Sequence, residues 1–372
     1  MKNMKVYDFF CFLEIQIVEK RHNCKFPNMS KPNIVGHFSV DSERNYRPTA
    51  DNLKYLKLPE KIDFPLDLNE GYEDYVHKPE SALDEKIDHL LRFILFNKEK
   101  FLVRETGRSL LNFDFLCFRG LMRQVMCTPY ENQDDWCILA TKHRGNIYLC
   151  QIETEQKRWK RLQENENSKK CCSYGFKFEQ YLLSDNPQKK PDTHQPVIES
   201  EEFCCMYETT LEGNRVIYGA EMDGIISDNL QNFTTIDWNK QRFIELKASL
   251  TPVTHNQKRN YAKYKLRNWW CQSFLVGIKD VVVGFRDEKG LVNEVTKMDV
   301  RSFPKEGQWY PNICMDYLVQ FLEIVRKVTE LDCPYTVYKF YFNPKERNTL
   351  FVSKYFGRNK LTFMPDWYID QL

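Results

Sequence analysis

The chain has 372 residues, enough for one large domain or two ordinary ones, and 42% hydrophobic with 28% charged residues is the composition of a globular protein. A net charge of +2 excludes a histone-like polycation, so any nucleic-acid site has to be a local cluster of Lys and Arg. Thirteen cysteines without a C-x-x-C pair favour reduced thiols packed as small hydrophobes in an intracellular protein, and leave neither zinc binding nor thiol catalysis a motif.

In chain order, residues 1–25 read as an N-terminal extension. The stretch Tyr7 to Val18 is apolar in places, but Glu14 and Gln16 interrupt it and no small-residue cleavage site follows, so it is an amphipathic segment rather than a signal sequence. No apolar run approaches the ~18 residues of a membrane helix. Val35 to Asp41 alternates like a half-buried strand, and Leu83, Ile87, Leu90, Leu91, Ile94 and Leu95 predict a helix over 80–103. Strands are expected at 113–118, 136–140 and 147–152. The polar run 156–170, with Lys157-Arg158-Trp159-Lys160-Arg161, reads as a solvated hairpin or loop. A loop over 185–200 precedes strands at 202–208, 215–227 and 231–250, taken as an antiparallel meander. A helix over 255–272, a buried strand at 281–285, a helix over 311–329 and a strand at 335–342 complete the pattern. With no repeat and no Gly, Pro or Ser-rich linker, the expected fold is a single α/β domain over 26–372, built on mixed, largely antiparallel sheets flanked by helices.

Two short strings carry chemistry. Glu221-Met222-Asp223 and Glu245-Leu246-Lys247 both lie in strand-like segments, where alternate side chains share a face. Glu221 pairs with Asp223 in this way, and Glu245 with Lys247. Singly, such strings are solvated strand faces. On consecutive and otherwise apolar strands they form the D…E-x-K arrangement of metal-dependent nucleases. Carboxylate oxygens hold hard cations, and a lysine steadies phosphate charge in the transition state. The following helix adds a stripe of Lys258, Tyr261, Lys265, Asn268 and Gln272 at spacings of three and four, suited to tracking a phosphate backbone or to facing solvent. Glu179 in Gly175-Phe176-Lys177-Phe178-Glu179 offers a fourth carboxylate. Arg119, after an apolar strand, suits either a phosphate or a structural ion pair. No Ser-His-acid triad or P-loop motif is present.

Together these strings resemble the DXO decapping-exoribonuclease family. The resemblance runs in order through Ile34 to Ser39, Leu56-Lys57-Leu58-Pro59, Phe118-Arg119-Gly120-Leu121-Met122, Cys127-Thr128-Pro129-Tyr130-Glu131 and Gly175 to Glu179. It continues through both acidic strings, Trp270-Cys271-Gln272-Ser273-Phe274-Leu275, Gly284-Phe285-Arg286 and Pro365-Asp366-Trp367-Tyr368. The resemblance implies a hydrolase that removes noncanonical, incomplete or NAD caps and 5′ triphosphates from single-stranded RNA, with 5′→3′ exoribonuclease activity. It implies Mg²⁺ or Mn²⁺, two ions, on Glu179, Asp223, Glu245 and the Leu246 backbone carbonyl, with Glu221 acting through water. It assigns Lys247 and Gln272 to the scissile phosphate and Arg119 to the RNA 5′ region, with Lys265 beside them on the same helix stripe. Two other readings stand beside it: a binding partner that stabilises a 5′→3′ exoribonuclease, and a DNA nuclease of the broader D…E-x-K group. Residence in the nucleus, the cytoplasm or both is compatible with these readings.

Overall fold

A computed structural model describes residues 13–16, 24–59, 61–103, 110–233, 235–346 and 349–372. Most of the 1–25 segment lies outside them, but Leu13–Gln16 forms an edge strand against Thr349–Tyr355. No described helix is long and apolar enough to cross a membrane.

Ten strands form one mixed sheet and seven short or medium strands a second. In the large sheet Phe115–Phe118 lies parallel to both of its neighbours, Asn214–Glu221 and Asn146–Ile152, while the remaining pairings are antiparallel. Both of its faces are covered, which is why its central strands are apolar at successive positions. Ile138, Ala140, Val216 and Tyr218 pack with the helices Arg119–Cys127, Arg267–Phe274 and Pro311–Val328. Cys137, Leu139, Leu116 and Ile217 pack on the other side with Leu90, Leu91 and Ile94 of the helix Asp88–Phe96 and with Tyr368.

The second sheet splits its strand Asp280–Arg286 in the same way. Val281 and Val283 join the main core, whereas Val282 packs with Ile244, Leu246 and the helix residues Tyr174, Phe178 and Leu182. That helix, Glu166–Leu182, begins at Asn165, whose side chain accepts the Ser168 amide, and it follows a shorter helix Glu155–Leu162 capped in the same way by Thr154. The polar run read as a hairpin or loop is therefore helical. Arg158, Trp159 and Lys160 of the basic string are exposed on the first helix while Lys157 is half-buried, and Glu179 sits near the end of the second.

Three other expectations change. Lys86 is left-handed at φ 50°, which separates a 3₁₀ turn at Glu80–Asp84 from the helix Asp88–Phe96, so 80–103 is not one helix. The strand expected from 231 begins only at Phe243, because Asp237 caps a 3₁₀ turn over Trp238–Lys240. The proposed meander is interrupted between Glu221 and Gly224, where the chain passes from the large sheet into the second. Gly224 sits in that crossing because a side chain there would meet Leu183 at 2.9 Å and the Lys54 carbonyl at 3.0 Å.

Candidate active site

The crossing itself builds the site. Met222 still bonds to the large sheet through Phe203, while Gly224 and Ile225 pair with Ile244 and Phe243 of the second. Asp223 is released from both ladders, opposite the point where the strand Phe243–Leu250 loses its neighbour. There its Oδ2 accepts the Leu246 N–H at 2.6 Å. In an extended strand the N–H and C=O of one residue leave on the same side, so the Leu246 carbonyl also faces Asp223.

Glu245 and Lys247 share a face of that strand, as alternation requires, and they bond directly. Lys247 Nζ donates to Glu245 Oε1 at 2.5 Å, and Gln272 Nε2 donates to the same oxygen at 2.5 Å. Arg119, at the first turn of the helix Arg119–Cys127, completes the set. Its Nη1 donates to Glu245 Oε2 at 3.3 Å and its Nη2 to the Glu221 carbonyl at 3.0 Å. Of the two roles open to Arg119, the geometry displays the buried ion pair: the side chains of Arg119 and Glu245 are 8% and 1% exposed.

Four carboxylates feel one another here, unequally. Burial pushes Glu245 up, but Lys247 and Arg119 outweigh it and hold it below the usual carboxylate range. Asp223 is pushed up to about 7, first by burial and then by Glu245, against the pull of Lys247 and the Leu246 N–H. Glu221 lines an open cleft and is exposed, yet it is pushed up to about 8 by desolvation and by the charges of Glu202 and Asp223. Glu179 lies well above its ordinary value from burial, Asp223 and Glu221. Like charges gathered without compensation are what a bound cation relieves. Among the described residues no three carboxylate, imidazole or thiol side chains converge closely enough to hold an ion as they stand. The reason is visible in Glu245, whose two oxygens are taken by three cationic or amide donors. The all-oxygen donor set of Glu179, Asp223, Glu245 and the Leu246 carbonyl nevertheless fits a hard divalent ion in its chemistry and its unrelieved charge.

The helical stretch from His255 to Phe274 lies along the same strand. Lys265 Nζ reaches Ser249 at 3.0 Å and Gln272 reaches Glu245, so these two members of the expected stripe do share a line. Tyr261 does not. A π-helical turn over Tyr261–Leu266 inserts one residue, and Tyr261 packs edge-on against Trp269 at 5.5 Å. Two cleft residues escaped the sequence reading. Glu202 faces Glu221 electrostatically, with no local motif to mark it. Arg123 follows Arg119 by one helical turn, and that i, i+4 spacing was the available signal.

A family model described as RAI1 like PD-(D/E)XK nuclease matches residues 30–369. The chain is 33% identical over 356 residues to the decapping and exoribonuclease protein Rai1 of Drosophila melanogaster, covering 94% of each. It is 30% identical over 356 residues to the decapping and exoribonuclease protein of Homo sapiens, covering 93% of this chain and 87% of the relative. Among solved structures, Candida albicans Rai1 in complex with pU5-Mn²⁺ superposes with a TM-score of 0.80 at 18% identity, over 96% of this chain and 98% of that one. Scheffersomyces stipitis Rai1 in complex with (3′-NADP)⁺ and calcium ion gives 0.80 at 19% identity, over 96% and 99%.

Proposed function

The chain belongs to the RAI1-like PD-(D/E)XK nuclease family, and from that premise we propose that it is a divalent-metal-dependent hydrolase of RNA 5′ ends, with residues 26–372 as the catalytic unit behind a 1–25 extension. Its work is decapping and 5′→3′ exonucleolytic hydrolysis, and its range extends to triphosphate, incomplete-cap and NAD-capped ends. The observation that carries this reading is the release of Asp223 from both sheets onto Leu246, beside a Glu245 that already gathers Lys247, Gln272 and Arg119. Glu179, Asp223, Glu245 and the Leu246 carbonyl would hold two Mg²⁺ or Mn²⁺ ions, with Glu221 acting through water. Bound there, the ions supply Lewis-acid activation of water and neutralisation of phosphate charge.

The chain's own residues do the rest. Lys247 and Gln272 converge on one oxygen of Glu245, so engagement of that carboxylate leaves an ammonium and an amide free for the scissile phosphate. Arg119 stays bonded to the Glu221 carbonyl, which fixes the crossing strand, and engagement of Glu245 would free its Nη1 for the RNA 5′ region. The buried thiols take no part, and the free state of every described cysteine suits a reducing compartment, nucleus or cytoplasm.

The test incubates purified protein with RNAs bearing triphosphate, unmethylated-cap, NAD-cap and monophosphate 5′ ends, with and without Mn²⁺. Metal-dependent release of the 5′ moiety is expected, and its loss in the Asp223→Ala, Glu245→Ala double variant. No release from any of the four RNAs removes the hydrolase reading. Release by the double variant removes the site assignment instead.

A further inference from the structure

Two clefts meet over a floor made by Phe118 and Gly120. The first, about 340 Å³, contains Arg119, Arg123, Glu221 and Gln272. The second, about 370 Å³, continues past Gln151 to Lys86 and Lys157. A side chain built on Gly120 would touch nothing, so the floor between them is open.

The charges along this path are not balanced. Two of its acids are already neutralised by groups outside it, Glu202 by Arg44 at 2.7 Å and Lys78 at 2.5 Å, and Glu153 by Arg161 at 2.9 Å, while the third, Glu221, belongs to the carboxylate site. Apart from Arg119, which pairs with Glu245, its cations are not. Among the described residues Lys86 donates only to the Thr362 carbonyl, at 3.0 Å. Arg123 donates Nη1 to the neutral Asn268 Oδ1 at 2.6 Å, and Asn268 is itself fixed by its donation to the Tyr264 carbonyl at 2.9 Å. Burial holds the Lys157 ammonium below its usual value; Asp134 and Asp135 oppose this, and the charge of Arg123 adds to it. Among the described residues, no carboxylate lies within ion-pair distance of Arg123, Lys157 or Lys86. A guanidinium held in place by a neutral amide, at the mouth of an acidic site and followed by two ammonium groups, is suited to successive phosphates of a single strand.

We propose that Arg123 and Lys157, with Lys86 beyond them, bind the phosphates of the RNA strand 3′ of the scissile bond, so that the strand leaves the carboxylate site over the Phe118–Gly120 floor. This rests on the 5′-end RNA hydrolase reading and adds to it the exit path of the substrate.

The experiment is steady-state hydrolysis in Mn²⁺ of 5′-phosphorylated oligouridylates two and eight nucleotides long. Arg123→Gln and Lys157→Gln should each raise KM for the octanucleotide about tenfold, leave kcat within about twofold, and leave the dinucleotide unchanged. The dependence of log KM on log salt should flatten by about 0.7 for each contact removed. Arg123→Lys should recover part of the loss. Lys160→Gln, on the same helix as Lys157 but paired with Asp134, should change nothing. If Arg123→Gln melts early, Lys157→Gln carries the test alone. An unchanged octanucleotide KM overturns the proposal, and so does an equal loss on the dinucleotide, which would put these cations at the 5′ end. Failure of the unmutated protein to hydrolyse either length overturns the underlying reading, and the exit path with it.

Discussion

At the scale of single residues, the acids of the site divide by what compensates them. Glu245 is buried between Lys247 and Arg119, while Asp223 has one backbone N–H against the repulsion of its neighbours. Removing one partner of a buried ion pair strands the others, at a cost of about 3–5 kcal/mol. Removing a carboxylate that is held in a crowd of like charges relieves the fold. In metal-free protein, Glu245→Gln should therefore lower the unfolding free energy by about 3 kcal/mol, and Asp223→Asn should leave it unchanged or raise it. Both should abolish hydrolysis. Urea denaturation in a chelator reads the contrast, and equal destabilisation by the two substitutions would refute this division of roles. Glu245 and Lys247 were legible in the sequence because E-x-K keeps its meaning wherever a strand forms, whereas Asp223 was marked by its motif although it lies in the passage between the sheets and not in the strand expected for it. The partners of Glu245 were less so: Arg119 and Gln272 reach it from helices distant in sequence, and the local reading and the resemblance gave them to phosphate and RNA without tying either to Glu245.

At the scale of elements, the position of Glu179 depends on how closely its helix approaches a strand. Phe178 lies against Gly284, where an added methyl carbon would come within 2.4 Å of the ring. Gly284→Ala should push the helix Glu166–Leu182 outward and carry Glu179 with it. A displacement near 1 Å in a catalytic group costs about a hundredfold in rate. The expected result is a loss of that order in kcat with the fold retained, and a second-site Phe178→Leu should restore part of it by making room. Loss without rescue would mean that the close approach is not what places Glu179. This helix was invisible in the sequence because its cap is one asparagine in a polar run, and its apolar side, Tyr174, Phe178 and Leu182, is only three residues long. The π turn was hidden for a related reason. One inserted residue leaves a helical pattern intact on either side and rotates one half against the other, so Lys265 and Gln272 kept the expected line while Tyr261 turned inward.

At the scale of the whole molecule, the site is the seam between two sheets. Glu221 ends a strand of the large one, Glu245 lies in the second, and Asp223 belongs to the passage between them. That division was not readable along the chain, because the second sheet is joined partly by two-residue strands whose partners are far away in sequence, such as Tyr55–Leu56 beside Leu183–Ser184. A cation shared by these acids would tie the sheets together and should stabilise the entire fold, by about 2.7 kcal/mol when free ion stands at a hundred times its Kd. The effect has a pH direction. Folded-state values of about 7 for Asp223 and about 8 for Glu221 lie above their ordinary ones, so between about pH 4 and 8 these two acids bind more protons in the metal-free folded chain than in the unfolded chain. The contribution of these acids to stability therefore falls as pH rises through that window. An ion competes with those protons, so it binds more tightly as they leave. The increase in Tm produced by 1 mM Mn²⁺ should accordingly be larger at pH 8 than at pH 6, with proton release on titration at pH 7. In Asp223→Asn both the increment and its pH dependence should shrink. Scanning calorimetry at the two pH values decides the matter, and an increment that is equal or larger at pH 6 would show that the raised carboxylates are not the ones the metal engages.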